Sequence, residues 1–198
     1  LPATIKVLGI YGSPRKGGNT DILLDRVLEG ARAAGAEVRT LYARDLKIGG
    51  CLECGGCDDT GECVVPDDME KVYPLLEEAR IIFLAAPVFF YNVPAQLKAL
   101  IDRAQALWSK RRLEKSPRRL KVHERGKGYL IAVGATKGAN LFQGCELTAR
   151  YFFDALDMAY EGGLFFGKVE AQGEILTHPD AMSQALAFGK NAVEKAIA

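Results

Sequence analysis

Four cysteines, Cys51, Cys54, Cys57 and Cys63, crowd one short stretch with the spacing C-x2-C-x2-C-x5-C. Thiolates this close in sequence can all reach one inorganic centre, and the interleaved glycines Gly49, Gly50, Gly55, Gly56 and Gly61 let the backbone curl around it. The pattern points to a cubic iron–sulfur cluster. It suits structural zinc less well, because zinc ribbons take two ligand pairs from knuckles a dozen or more residues apart. Disulfides and inert thiols in a glycine-rich loop are the metal-free alternatives. Cys145 stands far downstream without a partner and reads as an ordinary buried thiol.

A second constellation precedes it. An apolar run ending at Tyr11 leads directly into Gly12-Ser13-Pro14-Arg15-Lys16-Gly17-Gly18-Asn19-Thr20 and then into a helical pattern, so backbone N–H groups and a helix N-terminus surround one point. That is an anion site. A Walker loop would need Lys-Ser/Thr where Gly18-Asn19 stands, and no G-x-G-x-x-G is present, which disfavours a triphosphate. Ser13, Arg15, Asn19 and Thr20 suit the terminal phosphate of a mononucleotide. Further on, Ala86-Pro87-Val88-Phe89-Phe90-Tyr91-Asn92-Val93-Pro94 puts three aromatics after another apolar run, a wall suited to a flat ring. The alternative is that these aromatics pack under the next helix, but three in succession cannot all face inward.

The elements that must position these residues follow from the hydrophobic pattern. Strand-length apolar runs at Lys6 to Tyr11, Glu37 to Tyr42, Arg80 to Ala86, Gly128 to Val133 and Gly163 to Val169 alternate with helical stretches. The helices are expected at Asn19 to Ala34, Asp67 to Ala79, Pro94 to Trp108, Gly144 to Tyr160 and Asp180 to Ala198. This is the pattern of an α/β chain whose parallel sheet is covered on both faces, with every strand too apolar for a solvated side. A chain of 198 residues buries about 70% of its unfolded surface, enough for one core, so residues 1–198 read as a single domain. Two departures from it are expected, the cysteine loop at 49–66 and a basic excursion at 109–127. Within 110–127 nine Lys or Arg face only Glu114 and Glu124, with Pro117 between them. The excursion reads as a solvated loop, a dock for an acidic partner, or an arm that reaches a second subunit through Trp108, Leu113, Leu120 and Val122.

The formal net charge of +1 gives no support to nucleic-acid binding, and no apolar run is long enough to span a bilayer. The start at Leu1-Pro2 lacks a basic-then-apolar leader, so a cytoplasmic protein is expected. His123 and His178 lie in no triad or metal motif and read as structural or solvated.

GSPRKGGNT, the cysteine loop followed by Asp67-Asp68-Met69, and APVFFYNVPAQLKALIDR together resemble the flavodoxin-like NAD(P)H-dependent FMN reductases, and within them most closely the iron–sulfur flavoproteins. The resemblance covers nearly the whole chain. It implies a flavodoxin-like three-layer sandwich with a five-stranded parallel sheet of order 2-1-3-4-5, FMN at the switch between strands one and three, and a [4Fe-4S] cluster held by Cys51, Cys54, Cys57 and Cys63. By position, Ser13, Arg15, Gly18, Asn19 and Thr20 would hold the phosphate, and Pro87, Val88, Phe89, Phe90 and Asn92 would border the isoalloxazine. A third loop, Gly134 to Gly138, would add Ala135, Thr136 and Gly138. Phe89 replaces a tyrosine usual in the family, which keeps the ring and removes a hydroxyl. The function implied is FMN-dependent electron transfer relayed through the cluster, with no catalytic side chain because the cofactor carries the chemistry. NAD(P)H is the expected co-substrate. A ferredoxin-like protein is the expected partner and a homodimer or homotetramer the expected assembly. A plain FMN or quinone reductase with inert cysteines, and a non-enzymatic carrier or redox sensor, are the alternatives.

Overall fold

A computed structural model describes residues 4–197. Leu1-Pro2 and the Ala198 end of the last helix lie outside them. The elements run β1 (Lys6–Tyr11), α1 (Asn19–Ala33), β2 (Glu37–Tyr42), α2 (Met69–Glu78), β3 (Ile81–Pro87), α3 (Ala95–Arg103), α4 (Gln105–Glu114), β4 (Gly126–Val133), α5 (Gln143–Ala155), β5 (Met158–Phe166) and α6 (Ala181–Ile197). The strands form one sheet of order β2-β1-β3-β4-β5, every neighbouring pair parallel, as the family resemblance implies.

Alternation along the strands divides the apolar side chains between two cores. Val7 and Tyr11 of β1 join Ile81, Phe83 and Ala85 of β3 beneath α1 and α6. Leu8, Ile10, Ile82 and Leu84 face the other way, against α2, α3 and α5. Cys145 sits in this second core with no exposure, where burial pushes its thiol up to about 11. His178 packs edge-on against Phe166.

Several expected boundaries need correction. β2 is an edge strand, and Glu37, Arg39 and Thr40 are exposed, so it does have a solvated face. The third helix is two helices. The chain turns at Ala104, and α4 then continues through Glu114 into what was expected to be a loop. The helix expected at Gly144 to Tyr160 is α5, which stops at Ala155 because Asp157 takes a left-handed conformation (φ 60°), and β5 therefore starts at Met158 rather than Gly163. Gly162 and Gly163 mask this strand in the sequence; the sheet accommodates them with a register shift opposite Gly128 and Leu130.

The basic segment is neither free nor wholly a loop. Arg111 pairs with Asp154 and Asp157, and Lys115 with Asp157 and Glu124. His123 Nε2 lies 2.8 Å from Asp154 Oδ1, so the segment is tied to the corner between α5 and β5 of its own chain. Leu113 and Val122 stay exposed on it.

The helices α1 and α6 approach closely through glycine. A Cβ on Gly189 would stand 1.8 Å from the Val27 carbonyl oxygen, and one on Gly30 would stand 2.0 Å from that of Leu186. Both obstacles are backbone, so the helices themselves would have to separate. Gly189→Ala should cost about 1–3 kcal/mol in chemical denaturation, the range of overpacking penalties. A midpoint equal to wild type would show that the two glycines do not set the spacing.

Candidate functional site

The phosphate loop, the aromatic loop and the third loop all leave the carboxyl ends of their strands, where open α/β sheets bind ligands. They enclose a cavity of about 310 Å³, at the low end of the ~300–1,000 Å³ usual for cofactor sites. Its floor is the start of α1. Ile22 N–H donates to Gly18 O, so the first-turn amides of Asn19, Thr20 and Asp21 precede the intrahelical ladder and are available to an anion. No side chain caps this helix. Ser13 is buried and locks the loop by donating to Arg15 O while accepting from Arg15 N–H.

Of the residues expected here, Ser13, Arg15, Gly18, Asn19 and Thr20 line the cavity floor, and Pro87, Val88, Phe89 and Ala135 its walls. Phe90, Asn92, Thr136 and Gly138 are not on the lining. Phe89 and Asn92 close a tight turn by exchanging backbone hydrogen bonds, which forces Phe90 and Tyr91 into left-handed backbone (φ 48° and 61°). Phe90 is fully exposed at the tip. The Asn92 side chain turns away to accept from Val93 N–H and the Thr148 hydroxyl. Asn19 is likewise committed: its amide donates to Ala171 O at 2.8 Å and accepts from Ile175 N–H, leaving its backbone rather than its side chain for an anion.

Sequence reasoning missed Val169 and Glu170, which complete the cavity rim from beyond β5. It also missed the brace beneath the loop. Arg44, in the short helical turn after β2, donates to Ser13 O at 3.1 Å and pairs with Asp21 at 2.9 Å. Burial pushes the Asp21 carboxyl up, against the opposing pull of Arg44 and the Gly17 N–H. An acid in the first turn of a mononucleotide loop was the available signal, since it would repel phosphate unless a cation faced it.

The four cysteines open onto a second cavity, of about 500 Å³. All four are free thiols. The stem of their loop is closed by Asp67 and Asp68: Asp68 accepts from Lys47 N–H at 2.8 Å, and Asp67 from Gly49 N–H at 3.0 Å. On the far side Cys57 Sγ lies 3.6 Å from the buried Ser109 hydroxyl of α4. Gly61 is pressed onto α4, where a Cβ would meet Lys110 at 2.6 Å. Burial opposes ionisation of Cys63, but the Val65 N–H, the Tyr73 hydroxyl and Arg103 outweigh it and hold the thiol below its usual value. Among the described residues no three Cys, His, Asp or Glu side chains already converge as a metal site. The donor set, four thiols around one cavity, nonetheless matches an iron–sulfur cluster in kind and number.

A doubly wound parallel sheet of order 2-1-3-4-5 with a loop-lined cavity at its switch point is the flavodoxin-like fold. The fold is shared with a solved flavone reductase at a TM-score of 0.72 and 19% identity, covering 98% of this chain and 63% of that one. Residues 5–169 match the NADPH-dependent FMN reductase family, and the chain belongs to it. An iron-sulfur flavoprotein of Methanocaldococcus jannaschii is 30% identical over 199 residues, 96% of each chain. Another, from Methanosarcina thermophila, is 43% identical over 103 residues, 52% of this chain and 54% of the relative. The chain thus spans about half the length of that relative in the matched region. No helix among the described residues is long and apolar enough to cross a membrane.

Arg44 and Asp21 have side chains only 11% and 6% exposed, so removing one leaves the other buried alone. Arg44→Met should destabilise the fold by on the order of 3 kcal/mol in urea denaturation, with part of the loss recovered in Arg44→Met/Asp21→Asn. An additive double-mutant cycle would contradict the brace.

Proposed function

We propose that this chain is an FMN-dependent electron-transfer oxidoreductase in which FMN occupies the first cavity and Cys51, Cys54, Cys57 and Cys63 ligate one [4Fe-4S] cluster. The observation that carries the reading is the pairing of a backbone anion cradle with a four-thiol cavity, both built on loops from the carboxyl ends of adjacent strands. FMN, when bound, supplies two-electron and one-electron exchange at its ring, and the cluster supplies single-electron storage.

The protein's own part is positional. The first-turn amides of α1, with the Arg15 side chain, would hold the phosphate dianion, while Ser13, whose hydroxyl hydrogen goes to Arg15 O, would keep the loop in shape. Pro87, Val88 and Phe89 give the ring an apolar wall that limits water, and Phe89 does so without offering a hydroxyl. No acid–base side chain is required. The family name supports NADPH or NADH as co-substrate. A ferredoxin or another electron-transfer protein completes the exchange. A homodimer or homotetramer is supported by the exposed Leu113, Val122, Leu147 and Tyr151.

The second reading is an FMN reductase with inert thiols, which the match to the NADPH-dependent FMN reductase family supports. Anaerobic purification separates the two. A flavin band with a broad shoulder, together with iron and sulfide, supports the relay; flavin alone with NAD(P)H oxidation supports the second reading. Cys57→Ala should abolish the shoulder and leave flavin bound, and iron-free wild-type protein refutes the cluster. Riboflavin should bind the apoprotein at least ~10-fold more weakly than FMN, because each charge-assisted bond to phosphate is worth about 1.5–3 kcal/mol. Equal affinities would remove the phosphate-site argument.

A further inference from the structure

Arg103 ends α3, at the close of the same APVFFYNVPAQLKALIDR motif, yet it is not on the flavin-side lining and is only 1% exposed. Its guanidinium reaches both ends of the cysteine loop. Nη1 donates to Gly49 O at 3.1 Å and to Asp67 Oδ2 at 2.6 Å, while Nη2 donates to Val65 O at 3.1 Å. Gly49 lies just before Cys51 and Val65 just after Cys63, so one side chain gathers the two strands of the loop stem. Behind it, Tyr73 of α2 donates to the Arg103 carbonyl at 3.0 Å and fixes the backbone of the clamp.

Two of its five N–H groups are left over, one on Nη2 and the one on Nε. Arg103 Nε is buried and has no hydrogen-bond partner. A buried unpaired donor costs about 1–3 kcal/mol, which a folded protein seldom leaves uncompensated without a further partner. Arg103 lines the same cavity as all four thiols. Lysine could not substitute, since its single ammonium cannot serve three acceptors held in a planar fork.

We propose that Arg103 is the positioning residue of the cysteine cavity: its fork closes the loop before any metal arrives, and its remaining N–H groups and its charge serve the sulfur-bound anion. The second half rests on the cluster reading above. A cluster with four thiolates gains a further negative charge on reduction. A buried cation at its edge favours the more negative state and raises the reduction potential.

The test has two arms. In metal-free protein, the Lys47, Gly49 and Met69 amides donate to Asp68 and Asp67. Hydrogen exchange there should accelerate at least ~10-fold in Arg103→Lys and Arg103→Met, while exchange in β1 and β3 stays as in wild type. If Arg103→Met fails to fold, Asp67→Asn reads the same clamp from its other side and should also accelerate exchange. Unchanged exchange in the folded variants overturns the clamp. In reconstituted protein, Arg103→Met should have a lower cluster potential than Arg103→Lys; equal potentials overturn the electrostatic role. Wild-type protein that takes up no iron overturns that role together with the cluster reading, while the exchange arm still decides the clamp.

Discussion

The position of β1 between β2 and β3 governs everything that can bind here. Parallel strands are joined by right-handed crossovers, so the chain leaves β1 over one face to reach β2 and returns over the other to reach β3. α1 and α2 therefore diverge, and a crevice opens at the carboxyl end of β1. Gly12 stands at that point. Its N–H donates to Ala85 O at 2.7 Å, and a Cβ there would collide with Leu97 and with the same carbonyl. Only glycine lets the loop leave β1 so close to β3, and the anion cradle depends on that departure.

Two arginines with little-exposed side chains hold the loops that follow β1 and β2. Arg44 joins the turn after β2 to the phosphate loop, and Arg103 joins the two ends of the cysteine loop. Buried ion pairs are weak sources of net stability, because desolvation offsets most of their attraction. Their value here lies in geometry. The stretch between β2 and α2 contains little regular structure and few apolar residues, so directed hydrogen bonds from a planar fork do what side-chain packing does elsewhere in the chain. The same logic runs through the basic segment, where Asp154 and Asp157 tie Arg111, Lys115 and His123 to the α5–β5 corner. A run of like charge reads as solvated until its counter-charges are known.

The residue types, the spacing of Cys51 to Cys63, the composition of the loop from Ser13 to Thr20 and the alternation of Val7, Leu8 and Ile10 are local properties. They determine which chemistry is available and that the sheet is parallel and covered on both faces, since periodicity and ligand spacing act over a few residues. Two glycines, Gly162 and Gly163, weaken the β5 pattern and shift its apparent start downstream, and nothing local marks the turn at Ala104 that divides α3 from α4. Only the tertiary structure decided how the sites are assembled. It turned the Asn19 side chain toward Ala171 and Ile175, pointed Phe90 outward, set Arg44 under Ser13, and brought Arg103 to Gly49 and Val65. Each of these except Phe90 joins residues remote in sequence; the Phe90 turn is closed locally by Phe89 and Asn92, with Gly144 of α5 packed against the Tyr91 carbonyl. Such pairings exist once the sheet order has placed their strands side by side, which no window of sequence contains.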